Sequence, residues 1–221
     1  MSATSDELEA HNAQIDTLFE QAFRMPAEER VKARDMFLQI AALAQSTIKE
    51  HDVQDEAVLR NLRKQAANGY YYAAENEHWL AMEADDPTQL NTQKIEHLER
   101  ALALHSQVFA NGIDGMLVAE YYFGTSLLVE HGLETGDPRT ADWAKANVNA
   151  ARLRIVESGM LNIDPPVGAT VELIEALLDH AKVTGDPSPA EEVMQLYATI
   201  PEDRRGYSLK KRLRDEGVLS E

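Results

Sequence analysis

The 221-residue sequence contains no cysteine. That absence excludes disulfide bridges, thiolate nucleophiles and thiolate-ligated metals, and it suits a reducing compartment. Long apolar runs are missing as well: no stretch approaches the roughly 20 consecutive apolar residues of a membrane-spanning helix. The opening residues Met1-Ser2-Ala3-Thr4-Ser5-Asp6-Glu7 are polar and acidic, unlike a secretory signal. A cytoplasmic location without membrane association is therefore expected. Basic residues are scarce, with 21 Lys and Arg against 38 Asp and Glu and a net charge of -17. Wrapping a phosphate backbone needs clustered cations, so nucleic acid is not an expected partner for the body of the chain. Such a balance favours basic partners instead. There is also no Gly-rich phosphate loop, no nucleophile elbow and no His-Glu-x-x-His zinc motif. No catalytic residue, cofactor or metal site is assigned, and no run alternates with the two-residue period of a strand.

What is present is helical periodicity. Leu8, Ile15, Leu18, Phe19, Ala22 and Phe23 recur at helical steps and predict a helix over 6–24. Pro26 suits the first turn of a second helix carrying Val31, Phe37, Ile40, Ala41, Ala44 and Ile48, with its end near Glu50-His51-Asp52. A third helix is predicted after Asp55, through Leu62, Ala66, Gly69, Ala73 and Leu80. Glycine within a helix costs about 1 kcal/mol relative to alanine, so Gly69 marks an expected close approach of a neighbouring helix. The fourth helix, over 88–110, presents Ile95, Leu98, Leu102, His105 and Phe109 and stops at Asn111-Gly112. Leu117, Tyr121, Gly124 and Leu128 form the next stripe, and Ala144, Val148, Ala151 and Ile155 the one after, closed by Ser158-Gly159. Helices over 168–183 and 187–198 follow, then a closing amphipathic piece with Tyr207, Leu209 and Leu213 turned inward. The fold class is all-α, with eight or nine helices in tandem antiparallel hairpins.

One stretch recurs. Glu130-His131-Gly132-Leu133-Glu134-Thr135-Gly136-Asp137-Pro138 returns as Asp179-His180-Ala181-Lys182-Val183-Thr184-Gly185-Asp186-Pro187, and a shorter relative runs from Glu77-His78-Trp79 to Asp85-Asp86-Pro87. In each turn glycine is expected in the left-handed conformation that ends a helix, aspartate as the cap of the next, and proline at its first position. The prolines lie 51 and 49 residues apart, Gly112 and Gly159 lie 47 apart, and Ile113-Asp114 returns as Ile163-Asp164 after 50. Tandem hairpins of one length resemble, in architecture, the arrays of tetratricopeptide-type proteins, which implies an α-solenoid. The period differs from that family's roughly 34 residues, and its Trp, Leu, Gly and Tyr set is absent, so no functional residue carries over. A helical bundle with independently similar turns is the other architecture. The expected organisation is an N-terminal hairpin over 1–53, three hairpin repeats over 54–200 and a basic tail over 201–221.

The acidic-His pairs invite a metal or acid-base reading, but neighbours on a helix point about 100° apart and do not converge on one ion. Glu75 and His78 form one Glu-x-x-His step, where carboxylate-bridged di-metal bundles use two. The histidines are expected at the core edge near helix C-termini, where the helix dipole favours imidazolium. Tyr70, Tyr71, Tyr72 and Trp79 read as packing or as an aromatic platform. The candidate binding surface comprises Tyr71, Glu77, His78, Tyr121, Glu130, His131, Asp179 and His180. Against the acidic body, residues 200–221 hold six basic side chains and five acidic ones. Arg204, Arg205, Lys210, Lys211, Arg212 and Arg214 form a candidate docking tail, onto the acidic body, a second copy or an anionic surface. The expected function is a non-enzymatic adaptor holding a basic or amphipathic protein or peptide in a groove between hairpins. The alternatives are a self-assembling structural protein, hence a homo-oligomer, or a helical ligand-binding or enzymatic domain with a His- and Tyr-lined pocket.

Overall fold

The computed structural model describes residues 5–51 and 53–219. The reading of the first four residues as a non-signal start, and Asp52 at the end of the second helix, lie outside them. Among the described residues the chain is all-α, with nine helices and no strand: α1 (Ser5–Phe23), α2 (Arg30–Glu50), α3 (Glu56–Glu83), α4 (Thr88–Val108), α5 (Ala119–Thr135), α6 (Thr140–Met160), α7 (Val167–Thr184), α8 (Ala190–Thr199) and α9 (Tyr207–Asp215). None of them is long and apolar enough to cross a membrane. The chain divides into two compact units, Met1–Asn111 and Gly112–Glu221. The N-terminal hairpin thus shares a unit with α3 and α4, and the basic tail shares the other with α5 to α8.

In the first unit each helix packs on its neighbours in sequence, α1 on α2, α2 on α3 and α3 on α4. The short connectors make successive helices antiparallel. Asp55 caps α3 as a good N-cap residue does, its carboxylate accepting from the backbone N–H groups of Ala57 and Val58 at 2.9 and 3.1 Å. The core joins Ile15, Phe37, Ile40, Leu62 and Ala66 with neighbouring alanines. Two predicted core residues are exposed instead. Phe23, the last residue of α1, meets Phe37 and Tyr72 with part of its ring and leaves the rest open, and Val31 lies in the first turn of α2; they are 56% and 52% exposed.

Gly69 lies where α3 crosses α2. A Cβ there would stand 2.7 Å from the Phe37 carbonyl oxygen and 2.9 Å from the Ala41 nitrogen, both backbone atoms that cannot swing aside. Gly69→Ala gains roughly 1 kcal/mol of helix propensity. It also forces two packed helices apart, which costs about 1–3 kcal/mol. The net expectation is a lower thermal midpoint, checked by circular dichroism. A variant as stable as the parent would mean that α2 and α3 separate without penalty.

In the second unit α5 packs on α6, α6 on α7 and α7 on α8, and α5 also touches α7. The repeated turn has the same hydrogen bonds in both full copies. Thr135 and Thr184 hydroxyls donate to the carbonyls of His131 and His180, at 2.8 and 2.7 Å. Gly136 and Gly185 adopt left-handed conformations, and their N–H groups donate to Gly132 and Ala181. The aspartates cap differently from the expected form. Asp86, Asp137 and Asp186 accept the N–H two residues on, from Thr88, Arg139 and Ser188. This forms a separate turn, and the regular helix starts one to three residues beyond the proline. The first copy lacks glycine, and its helix ends in extended Ala84.

Other landmarks are not structural equivalents. Ile113 is buried while Ile163 is 50% exposed. Gly112 has a positive φ of 93°, whereas Gly159 lies within α6, which runs on to Met160 and reverses at left-handed Asn162. Leu117 precedes α5 and is exposed rather than part of its stripe. In α9, Leu209 and Leu213 are buried, but Tyr207 at the helix start is 78% exposed.

Candidate binding groove

Residues 122, 126, 130, 133 and 134 recur at helical steps, so Tyr122, Ser126, Glu130, Leu133 and Glu134 share one face of α5. On α7, Glu175 and Asp179 stand one turn apart. Together with Phe123, Asn147 of α6 and Arg212 of α9 they line a groove of about 460 Å³, and most of its exposed wall is apolar. Phe123 is 44% and Leu133 36% exposed.

The groove floor is braced by polar contacts. Buried Asn147 presents its Oδ1 to the hydroxyls of Thr125 and Ser126, at 2.8 and 3.1 Å. The Tyr122 hydroxyl donates to the Glu172 carbonyl at 3.3 Å. Burial pushes the Tyr122 phenol above its ordinary range, and the nearby carboxylates of Glu175, Glu172 and Asp179 add to that. The same carboxylates are strained electrostatically. Burial raises Glu175, with Asp179 and Glu172 adding and Arg212 opposing. Burial also raises Asp179, against the Arg212 guanidinium, whose Nη2 stands 2.6 Å from Asp179 Oδ1. Glu175 makes no hydrogen bond or ion pair among the described residues.

The sequence-selected residues are distributed as follows. Glu130 and Asp179 meet in this groove; Tyr121 is buried behind it, one position along the helix from Tyr122. His131 and His180 do not line it. They sit at the turns near Asp137 and Asp186, whose carboxyls are held low chiefly by hydrogen bonds with Arg139 and Ser188 respectively. His131 also lies 6.4 Å from the Trp143 ring, over which Arg139 stacks at 4.8 Å. In the first unit Tyr71 and Glu77 are buried and His78 is half-buried. Glu77 Oε2 is 2.9 Å from Nδ1 of His97, whose ring stacks on Tyr70. A smaller hollow of about 270 Å³ in that unit lies between Phe23, Arg30, Tyr72 and Trp79.

Of the tail residues, Arg212 reaches the groove. Arg205 stacks on Tyr197 at 4.7 Å and donates to the Ile200 carbonyl, and Lys211 pairs with Asp215. Arg204 closes a single 3-10 turn, and Arg214 lies in the last turn of α9 beside half-buried Lys210's helix face. Sequence reasoning passed over Tyr122, Glu175 and Asn147; the four-residue step from Tyr122 through Ser126 to Glu130 was the available signal. Among the described residues, no group of three or more His, Asp or Glu side chains is placed to hold a metal ion. Comparison of the chain with protein-family models, curated proteins and solved structures finds no match.

Proposed function

We propose that the protein is a non-enzymatic helical adaptor that holds a segment of another protein in the groove of its second unit. One observation carries the reading: an apolar wall, with Phe123 and Leu133 open to solvent, runs between two helices whose carboxylates edge it. A groove walled by helices seats an extended or helical segment through spaced apolar anchors. Both side chains are only partly covered by the fold, so the melting temperature of each variant, measured beside its affinity, separates binding from folding.

The test is retention of proteins from the native source on the immobilised full chain, identified by mass spectrometry and then repeated with the purified partner. Phe123→Asp and Leu133→Asp are expected to weaken that purified interaction about tenfold or more at temperatures where each variant is still folded. Equal affinity of both variants and the parent would remove the groove from the interaction.

A further inference from the structure

The groove carries an imbalance of charge that its own residues leave uncorrected. Four carboxylates line it, those of Glu130, Glu134, Glu175 and Asp179, against the single cation Arg212. Arg212 is committed to Asp179 by a 2.6 Å contact. Glu130 and Glu134 lie on the open rim, where a charge is well hydrated. Glu175 differs from all three: it is half-buried on α7 and makes no hydrogen bond or ion-pair contact among the described residues, with the Arg212 charge attracting it from beyond contact distance and Asp179 and Glu172 repelling it. A carboxylate drawn partly out of water among other carboxylates is stabilised by an incoming cation more than a hydrated surface one is.

Resting on the adaptor reading, we propose that the occupant is an amphipathic segment of a partner protein that places an arginine on Glu175 while its apolar side chains cover Phe123 and Leu133. The charge complementarity is specific in position. Arg212 holds Asp179, so the partner's guanidinium goes to Glu175 and not to the carboxylate one turn along. A guanidinium suits this place because it is planar, keeps its charge on desolvation and stacks on exposed aromatic rings such as Phe123. Glu175 is on this view the residue that selects cationic over neutral or acidic segments. The apolar wall supplies area without discrimination.

The probe is a terminally blocked 18-residue amphipathic peptide with leucine on one face and arginine on the other. Its counterpart has every arginine replaced by citrulline, a neutral isostere. Binding to the full chain is followed by fluorescence polarisation, and its place by nuclear magnetic resonance shifts of Tyr122 and Leu133. The arginine peptide is expected to shift those signals and the citrulline peptide to bind about tenfold or more weakly. Glu175→Gln should reproduce that loss for the arginine peptide. Asp142→Asn, which removes an exposed charge of α6 outside the groove, should leave binding within about twofold. Equal binding of both peptides in the groove would overturn the Glu175 anchor and leave the adaptor reading standing. Equal losses from Glu175→Gln and Asp142→Asn would also overturn it, because net charge alone would then account for affinity. Absence of any groove shift with either peptide would overturn both readings.

Discussion

Replacing Glu157 by alanine is expected to lower the unfolding free energy of the second unit by about 3–5 kcal/mol. Glu157 is 2% exposed and does two things at once. Its Oε1 accepts the N–H of Val118 at 2.7 Å, across 39 residues of chain, at the residue that opens α5. Its Oε2 pairs with Arg154, which also reaches Glu172 Oε2 at 3.0 Å. Alanine would strand a wholly buried backbone donor and leave Arg154 with one carboxylate in place of two. Unpaired buried groups carry their full desolvation cost, which is why the expected loss exceeds that of an ordinary hydrogen bond. Glu157→Gln retains an acceptor for Val118, so its loss should be nearer 1–2 kcal/mol. The chain has two tryptophans. Trp143 is buried in the second unit, so its fluorescence in a Trp79→Phe background follows the relevant transition during urea titration. An alanine variant within about 1 kcal/mol of its parent would show that water or a neighbouring group replaces Glu157 at little cost.

Acid should expose a second weak point, in the first unit. His105 is 2% exposed, stacks on Phe109, and its Nε2 donates to Asn68 Oδ1 at 3.0 Å. Burial, with a smaller contribution from the Lys64 charge, pushes the imidazole down from 6.5 to about 3. The folded state therefore keeps His105 neutral at pH values where the unfolded chain protonates it. Its contribution is complete above pH 6.5 and is lost as pH falls toward about 3, with an upper slope of about 1.4 kcal/mol per pH unit. Between pH 6.5 and about 4.5 the parent should lose about 2–3 kcal/mol more than His105→Gln, whose amide can donate to Asn68 without titrating. Parallel stability profiles for the two proteins would show that His105 takes up its proton in the folded state as readily as in the unfolded one.

These two residues illustrate what the sequence made legible. Those helix ends that were readable have local chemistry, as at left-handed Gly136 and Gly185 and at the Asp55 cap of α3, and Gly69 inside α3 marks a backbone contact. His105 was readable as part of a buried stripe, since a three- and four-residue period reports burial directly. Glu157 was not readable, because an acidic residue near a helix end looks like a solvated one and its partner lies 39 residues away. The repeat drew notice to His78, His131 and His180, whereas the histidine paired with buried Glu77 is His97, outside the repeated stretch. Groove residues were displaced by one position, Tyr122 for Tyr121. A single step turns a side chain by about 100° and separates wall from core. Glu175 became conspicuous only once α9 had brought Arg212 into contact with Asp179, leaving Glu175 within reach of that charge but outside its direct contact.

The packing of each helix on its sequence neighbours has a kinetic consequence. Within either unit, a newly formed helix meets its partner after a connector of a few residues, so little loop-closure entropy separates one docking step from the next. Chains with such local contacts fold in microseconds to milliseconds, far faster than sheets that must pair distant strands. Within the α5–α6 hairpin, the contact from Glu157 back to Val118 joins the end of α6 to the start of α5 across 39 residues. It can form only after that hairpin has closed, so the buried carboxylate acts as a latch on a completed hairpin. Its loss should accelerate unfolding while leaving the folding rate nearly unchanged.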